Sequence, residues 1–140
     1  LAKYRNGKIL APPLPIAGNQ GTMITIEDLF YNVPMRKKAF KNLNEEYSRI
    51  LDVCQKYAIH NPIVSFMCKK NGTNSWDVCT PSNSTVLSNI GLIYGKTLVK
   101  ELIPVGISDS SLSFKTTGFI SNANYSEKKF TFILFINGKI

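Results

Sequence analysis

The 140-residue chain carries 17 Lys and Arg against 9 Asp and Glu, with one His and 44% hydrophobic residues. Charged residues are only 19% and aromatics 11%, which argues against the disordered and low-complexity classes. No apolar run approaches the roughly 18 residues of a membrane span. The net charge of +8 favours anionic partners, and it gathers in residues 1–41, where seven cations meet two acids.

The length suits one ordinary domain. Leu1 opens the chain without an initiator Met or a charged-then-apolar leader, so the chain reads as a piece of something larger. Cys54, Cys68 and Cys79 are an odd number at wide spacing with no CxxC pair, which excludes zinc sites of the usual spacing. Each lies in an apolar periodic stretch, so three buried thiols in a reducing compartment are expected.

In chain order, residues 1–21 are rich in Pro and Gly and read as a loop or lid. Thr22–Ile26 alternates like a strand with Ile24 and Ile26 inward. The apolar connector Leu29–Pro34 follows, and Pro34 ends any regular structure entering it. Met35 and Ala39 lie one helical turn apart, placing Met35 and Ala39 on the core side of a short helix and Arg36, Lys37, Lys38 and Lys41 in solvent.

Asn44 is the expected cap of a helix whose apolar face is Tyr47, Ile50, Leu51, Cys54, Tyr57 and Ala58, stopped by Asn61-Pro62. Val64, Phe66 and Cys68 alternate into the turn Asn71-Gly72, with Trp76–Val78 as the return strand. Pro81–Ser84 reads as a linker. Ser84 caps a second helix that Gly95 ends. Strands are expected over Leu102–Ile107 and Leu112–Ile120. Phe130–Ile136, apolar on both faces, has the pattern of a central strand.

Few residues have the makings of a catalytic site. His60, the single histidine, stands at a helix end and reads as a capping or packing residue. No GxSxG elbow accompanies it. Gly91–Thr97 looks like a phosphate-binding loop but has three residues between its glycines where four are needed, and it covers the end of a helix. A helix C-terminus carries the wrong dipole sign for phosphate. The run Arg36-Lys37-Lys38 is either a solvated helix face or a phosphate-backbone contact. Gly18–Thr22, bounded by glycines and running into a strand, can turn backbone amides and the Thr22 hydroxyl toward a nucleotide, or simply form a tight turn.

The combined pattern Gly21-Thr22-x-Ile24-x-Ile26-x-x-Leu29-Phe30-Tyr31-Asn32-x-Pro34-x-Arg36-x-Lys38 resembles the signature of the MutL family of DNA mismatch-repair proteins. Ala17–Gln20, Ile50–Val53, Phe119–Ser126 and Leu134–Asn137 resemble its eukaryotic MutL homologue 1 branch in particular. The resemblance covers essentially the whole chain.

It implies an α+β protein: over residues 1–81 the C-terminal part of a GHKL-type ATPase α/β sandwich, and over 82–140 the start of a ribosomal-protein-S-five-like transducer domain. On that footing two partial domains replace the single one that length suggests. The resemblance further implies an ATP-dependent factor coupling mismatch recognition to strand incision in the nucleus. Its partners would be a PMS-type MutL homologue in a heterodimer, mismatch-recognition MutS homologues and DNA without sequence choice, with no membrane. Gly21 and Thr22 match the family's nucleotide-site Gly-Thr, whose hydroxyl helps position adenine through water. Arg36, Lys37 and Lys38 match the basic end of the signature.

The family's catalytic Glu, its magnesium-binding Asn and its Asp-Gly-x-Gly motif have no counterpart in these residues, and its transducer lysine is expected after Ile140. Met35 stands where a small residue is common. Lys139 stands where an Arg is usual, which weakens any bidentate phosphate contact there. ATP and magnesium are thus implied for a longer parent, and no catalytic residue, metal ligand or cofactor is expected in the fragment alone. The competing expectation is a non-catalytic nucleic-acid-binding or scaffold module with a transducer-like fold.

Overall fold

The structure, a computed structural model, describes residues 2–18, 20–40, 42–127 and 130–140. The predicted contributions of Asn19 and Lys41 fall outside the described residues. The chain divides into two compact units, Leu1–Ala39 and Phe40–Ile140. Both helices and strands are present, as an α+β protein requires.

In the first unit, β1 (Tyr4–Arg5) pairs antiparallel with β2 (Lys8–Ile9). Asn6 and Gly7, with φ of 53° and 74°, form the turn, as an Asn-Gly pair favours because both residues accept left-handed backbone. The loop expected over residues 1–21 therefore contains a small hairpin. The strand expected over Thr22–Ile26 does not form, and Ile24 and Ile26 are 78% and 73% exposed rather than inward. Alternation alone supplies no hydrogen-bond partner, and no described segment pairs with this one.

The signature then coils through successive turns. Tyr31 N–H donates to Asp28 O at 2.9 Å and Val33 N–H to Phe30 O at 3.0 Å. Asp28 and Phe30 have φ of 47° and 62°, a left-handed conformation that costs a bulky residue such as Phe30 about 1–2 kcal/mol. Helix α1 (Pro34–Ala39) begins on its proline, whose missing N–H costs nothing at a first helical position. Met35 is 79% exposed and α1 buries no residue, so the core face expected of Met35 and Ala39 is absent.

The second unit is organised by α2 (Leu43–His60). Its cap is Asn42, not Asn44: Asn42 has extended backbone and its Oδ1 accepts from the N–H groups of Asn44 and Glu45 at 3.1 and 3.4 Å. The Asn44 side chain instead accepts from Lys70 Nζ at 2.7 Å. Glu45 and Glu46 sit favourably in the first turn, where both pair with Arg49. Ala58 and Ile59 are buried and Leu51, Cys54 and Tyr57 half-buried, whereas Ile50 is exposed.

Strands β3 (Met67–Cys68) and β4 (Val78–Cys79) form the predicted hairpin, shorter than expected and shifted by one or two residues. Val78 is buried. So is Thr80, whose Oγ1 accepts from Phe66 N–H at 3.1 Å while its own N–H donates to Phe66 O at 2.9 Å. Asn83 and Ser84 N–H groups donate to Ile63 O and Pro62 O, so Pro81–Ser84 is tied to the loop after α2. Helix α3 (Val86–Tyr94) is therefore capped by Thr85, whose Oγ1 accepts from Ser88 N–H at 3.1 Å. Gly95 ends α3 as predicted, with φ of 100°, and α4 (Lys96–Lys100) follows.

Antiparallel strands β5 (Leu102–Asp109) and β6 (Phe114–Ser121) close the regular structure in register Leu102↔Ser121 to Asp109↔Phe114. Asp109 Oδ1 accepts from Ser111 Oγ and from the N–H groups of Ser111 and Leu112. Those bonds hold its carboxyl below the usual carboxylate range. The central strand expected over Phe130–Ile136 is absent. Phe130 is 85% exposed, and only Ile136 bridges, to Lys139. Such a strand needs a neighbour on each side, and β5 and β6 pair only with each other among the described residues.

At the centre of this unit, Asn89 on α3 is fully buried and its Nδ2 donates to Ala58 O of α2 at 2.7 Å. Asn89→Ala is predicted to cost about 1–3 kcal/mol, read as a lower urea midpoint at unchanged slope. Asn89→Asp should cost more, because a buried carboxylate would face a carbonyl oxygen. Unchanged midpoints in both variants would remove this bond from the account of stability.

Candidate functional site

The predicted site residues fall in both units. Gly21 and Thr22 lie in the irregular segment of the first, exposed. Gly21 has φ of +120° with nothing within 4 Å of where a Cβ would stand, so its glycine is required by backbone conformation and not by crowding. Arg36, Lys37 and Lys38 occupy α1 in the same unit, all exposed. Lys139 belongs to the second unit.

The cations of α1 are lightly engaged. Arg36 Cζ stands 5.5 Å from the centre of the Phe30 ring, a weak cation–π contact that links the turn before α1 to its first helical turn. Lys37 Nζ is 4.0 Å from Asp28 Oδ1 with both groups in solvent, a pair contributing little to stability. The basic run thus keeps most of its charge available to solvent anions. The aromatic beside the run is Phe30. Its spacing of six residues from Arg36 is closed by the turns, which no helical or strand period reveals.

Lys139 sits after the Asn137-Gly138 turn, whose φ values of 50° and 74° let Ile136 and Lys139 exchange backbone hydrogen bonds. With Phe132, Leu134, Ile136 and Ile140 it lines an open groove of about 460 Å³. That lining is mostly apolar, with Lys139 its one cation among the described residues.

A nucleotide pocket buries most of its ligand, whereas Gly21 and Thr22 are exposed and nothing approaches the Gly21 Cβ position. Among the described residues no three His, Cys, Asp or Glu come together as metal ligands. Gly91–Thr97 is helical up to Tyr94 and again from Lys96, and a Cβ on Gly91 would meet Val99 Cγ2 at 3.2 Å, so that glycine serves close packing of α4 on α3. His60 packs: its ring stacks on Phe135 with centroids 3.9 Å apart and planes within 3°. Among the described residues no helix is long and apolar enough to cross a membrane.

One polar cluster was not expected from the sequence. Tyr47 Oη donates to Asp77 Oδ2 at 2.5 Å, and Asp77 N–H donates to Cys68 O at 2.9 Å. The Asp77 carboxylate beside it is the main reason the Tyr47 phenol is pushed upward, with the neighbouring Cys68 thiol adding to the effect. Cys54, seven residues beyond Tyr47 and so on the same helix face, is also raised, first by burial and then by Cys68 alongside. The three thiols expected in the core are instead graded: Cys54 and Cys68 are half-buried, Cys79 is exposed, and all are free.

No family model matches the chain. The chain is 40% identical over 99% of its length to the "DNA mismatch repair protein Mlh1" of Dictyostelium discoideum. It is 47% identical over 91% to the "Putative MutL protein homolog 1" of Schizosaccharomyces pombe. To the bacterial "DNA mismatch repair protein MutL" of Halalkalibacterium halodurans it is 33% identical over 88%. It spans about a fifth of the length of each of these relatives. Agreement at this level along nearly the whole chain, signature included, makes it a member of the MutL family. Identities of 39–47% to the homologue 1 relatives, against 31–33% to the bacterial ones, place it with the eukaryotic MutL homologue 1 type.

The thiols give the test of this geometry. Iodoacetamide labelling followed by mass spectrometry should modify Cys79 first and Cys54 last, because alkylation needs the thiolate and access. Since the Cys54 thiol is raised, its labelling should accelerate only at a pH above that at which an unperturbed cysteine reacts. Cys54 reacting as fast as Cys79 at pH 7 would contradict its half-buried position on α2 beside Cys68.

Proposed function

We propose that this chain acts in DNA mismatch repair, as a segment of an ATP-dependent coupling factor that links mismatch recognition to strand incision. The observation that carries the reading is its 39–47% identity, over nearly the full chain, to relatives named as mismatch-repair or MutL homologue 1 proteins. In this reading residues 1–81 belong to a GHKL-type ATPase domain and residues 82–140 begin an S-five-like transducer. Nuclear location, a PMS-type partner and MutS homologues go with the same proposal.

ATP with magnesium would be the parent's cofactor. Gly21 and Thr22 would contribute one edge of its site, where the open backbone at Gly21 lets a ligand approach closely and Thr22 offers a hydroxyl. The exposed apolar side chains beside them, Met23, Ile24 and Ile26, support a segment that packs against further polypeptide. A protein of the relatives' full length should turn over ATP and lose that activity when the family's upstream Glu is replaced by Ala. Absence of turnover in the unaltered protein would refute the ATPase part of the reading.

A second reading, a nucleic-acid-binding or scaffold module without catalysis, is favoured by the exposed cations of α1. It predicts duplex DNA binding by this chain alone. Three phosphate contacts would give a log–log salt slope of about −2.7, lost when Arg36→Glu, Lys37→Glu and Lys38→Glu are combined. Fluorescence anisotropy of a labelled duplex measures it, and an unchanged slope would leave the basic run a solvated face.

A further inference from the structure

The hairpin of β3 and β4 carries charge and an aromatic ring that the signature does not use. Lys69 and Lys70 follow β3, and Trp76, the chain's one tryptophan, precedes β4. Lys69 Nζ lies 4.7 Å from the centre of the Trp76 ring, and Trp76 remains 46% exposed. Lys70 Nζ donates to Asn44 Oδ1 at 2.7 Å, which holds a second ammonium beside the start of α2.

These groups stand on an ordered turn. Thr73 N–H and Oγ1 both donate to Lys70 O, at 3.2 and 2.7 Å, and Gly72 takes the left-handed backbone the turn needs, with φ of 84°. The acids nearest in sequence or structure are already engaged: Asp77 accepts from Tyr47, and Glu45 and Glu46 pair with Arg49. Lys69 and Trp76 therefore present an ammonium and a half-exposed indole together, with Lys70 a second cation of the same hairpin held at the start of α2.

We propose that this hairpin is a contact site for single-stranded nucleic acid, with a base stacked on Trp76 and flanking phosphates on Lys69 and Lys70. Every base has a π-face, so stacking on an indole is tolerant of sequence. An exposed cation–π contact is weak, which lets the Lys69 ammonium turn to a phosphate while the ring takes a base. Intact duplex hides its base faces, and a polyanion without bases can engage only the lysines. The inference takes from the proposed function only the class of polymer. It does not depend on α1.

The single tryptophan makes the test direct. The 140-residue chain is titrated with an oligothymidylate carrying a fluorescein label, following Trp76 emission and label anisotropy in parallel. Saturable quenching is expected, with two phosphate contacts giving a slope of about −1.4 and hence about sevenfold weaker binding between 50 and 200 mM salt. Trp76→Leu should weaken binding roughly fivefold or more, Trp76→Phe should restore most of it, and Lys69→Ala with Lys70→Ala should flatten the salt slope. Heparin and a blunt duplex should leave the emission unchanged.

Oligothymidylate bound by anisotropy without quenching, or bound equally by the Trp76→Leu chain, would overturn the hairpin site and leave the DNA reading of α1 standing. Equal quenching by heparin would reduce the site to a polyanion contact and overturn the stacking. No binding of oligothymidylate at 50 mM salt would overturn the inference outright. Circular dichroism checks that each variant is folded, and if Trp76→Leu is not, the Phe variant and the lysine pair decide.

Discussion

The end of α2 is where α3 and the last residues of the chain meet that helix, and one buried amide sets how α3 sits on it. A helix leaves its last four carbonyls without partners. Here Tyr57 O accepts from both the N–H and Nδ2 of Asn61, at 2.9 and 3.1 Å. Ala58 O accepts from Asn89 Nδ2 of α3. Burying an amide without partners is costly, so α3 can pack against α2 only in the register that brings Asn89 to Ala58. Asn89 Oδ1 finds no partner among the described residues, so the amide sets position at some expense in stability.

The remaining contacts of the unit gather around the same helix. On one flank of α2, Tyr47 reaches Asp77 and sets the β3–β4 hairpin against the helix. Thr80 closes the base of the hairpin with three hydrogen bonds to Ser65 and Phe66. On another flank, Phe135 stacks on His60 and meets the Tyr57 ring edge-on at 5.3 Å, fastening the last residues of the chain. The single histidine thereby contributes a ring face to packing. Tyr94 of α3 is half-buried near Asp52 of α2, and burial raises its phenol, so the helix pair is in contact along more than the Asn89 bond.

The first unit is ordered by different means. None of its described residues is buried, so the shape of the family signature comes from short-range terms: successive turns, left-handed backbone at Asp28 and Phe30, a proline at the start of α1, and Arg36 over Phe30. Such a segment presents its Gly-Thr pair and its cations on the surface, where they can meet other molecules. Its apolar side chains, Leu14, Ile16, Met23, Ile24 and Ile26 among them, are exposed together with its cations.

Family membership, the helix stopped by Asn61-Pro62, the Asn71-Gly72 hairpin, the stop at Gly95 and the two strands that become β5 and β6 were all legible from residue order. Each depends on contacts within a few residues or on a periodic pattern, and the Gly-Thr to Arg-x-Lys signature is linear by nature. The strands expected over Thr22–Ile26 and Phe130–Ile136 were not decidable in this way. Alternation and apolar content state what a strand would bury, and only a neighbouring strand supplies the hydrogen bonds that make it one. Likewise the caps are Asn42 and Thr85 in place of Asn44 and Ser84: α2 starts at Leu43, which puts Asn44 inside its first turn, and it is the Thr85 hydroxyl that reaches the Ser88 N–H. Sequence determined which local conformations were available and which family the chain joins. The tertiary structure alone decided that Asn89 caps Ala58, that His60 stacks on Phe135, and that Lys69 stands over Trp76, because each pairing brings together residues that the chain's local periodicity leaves apart.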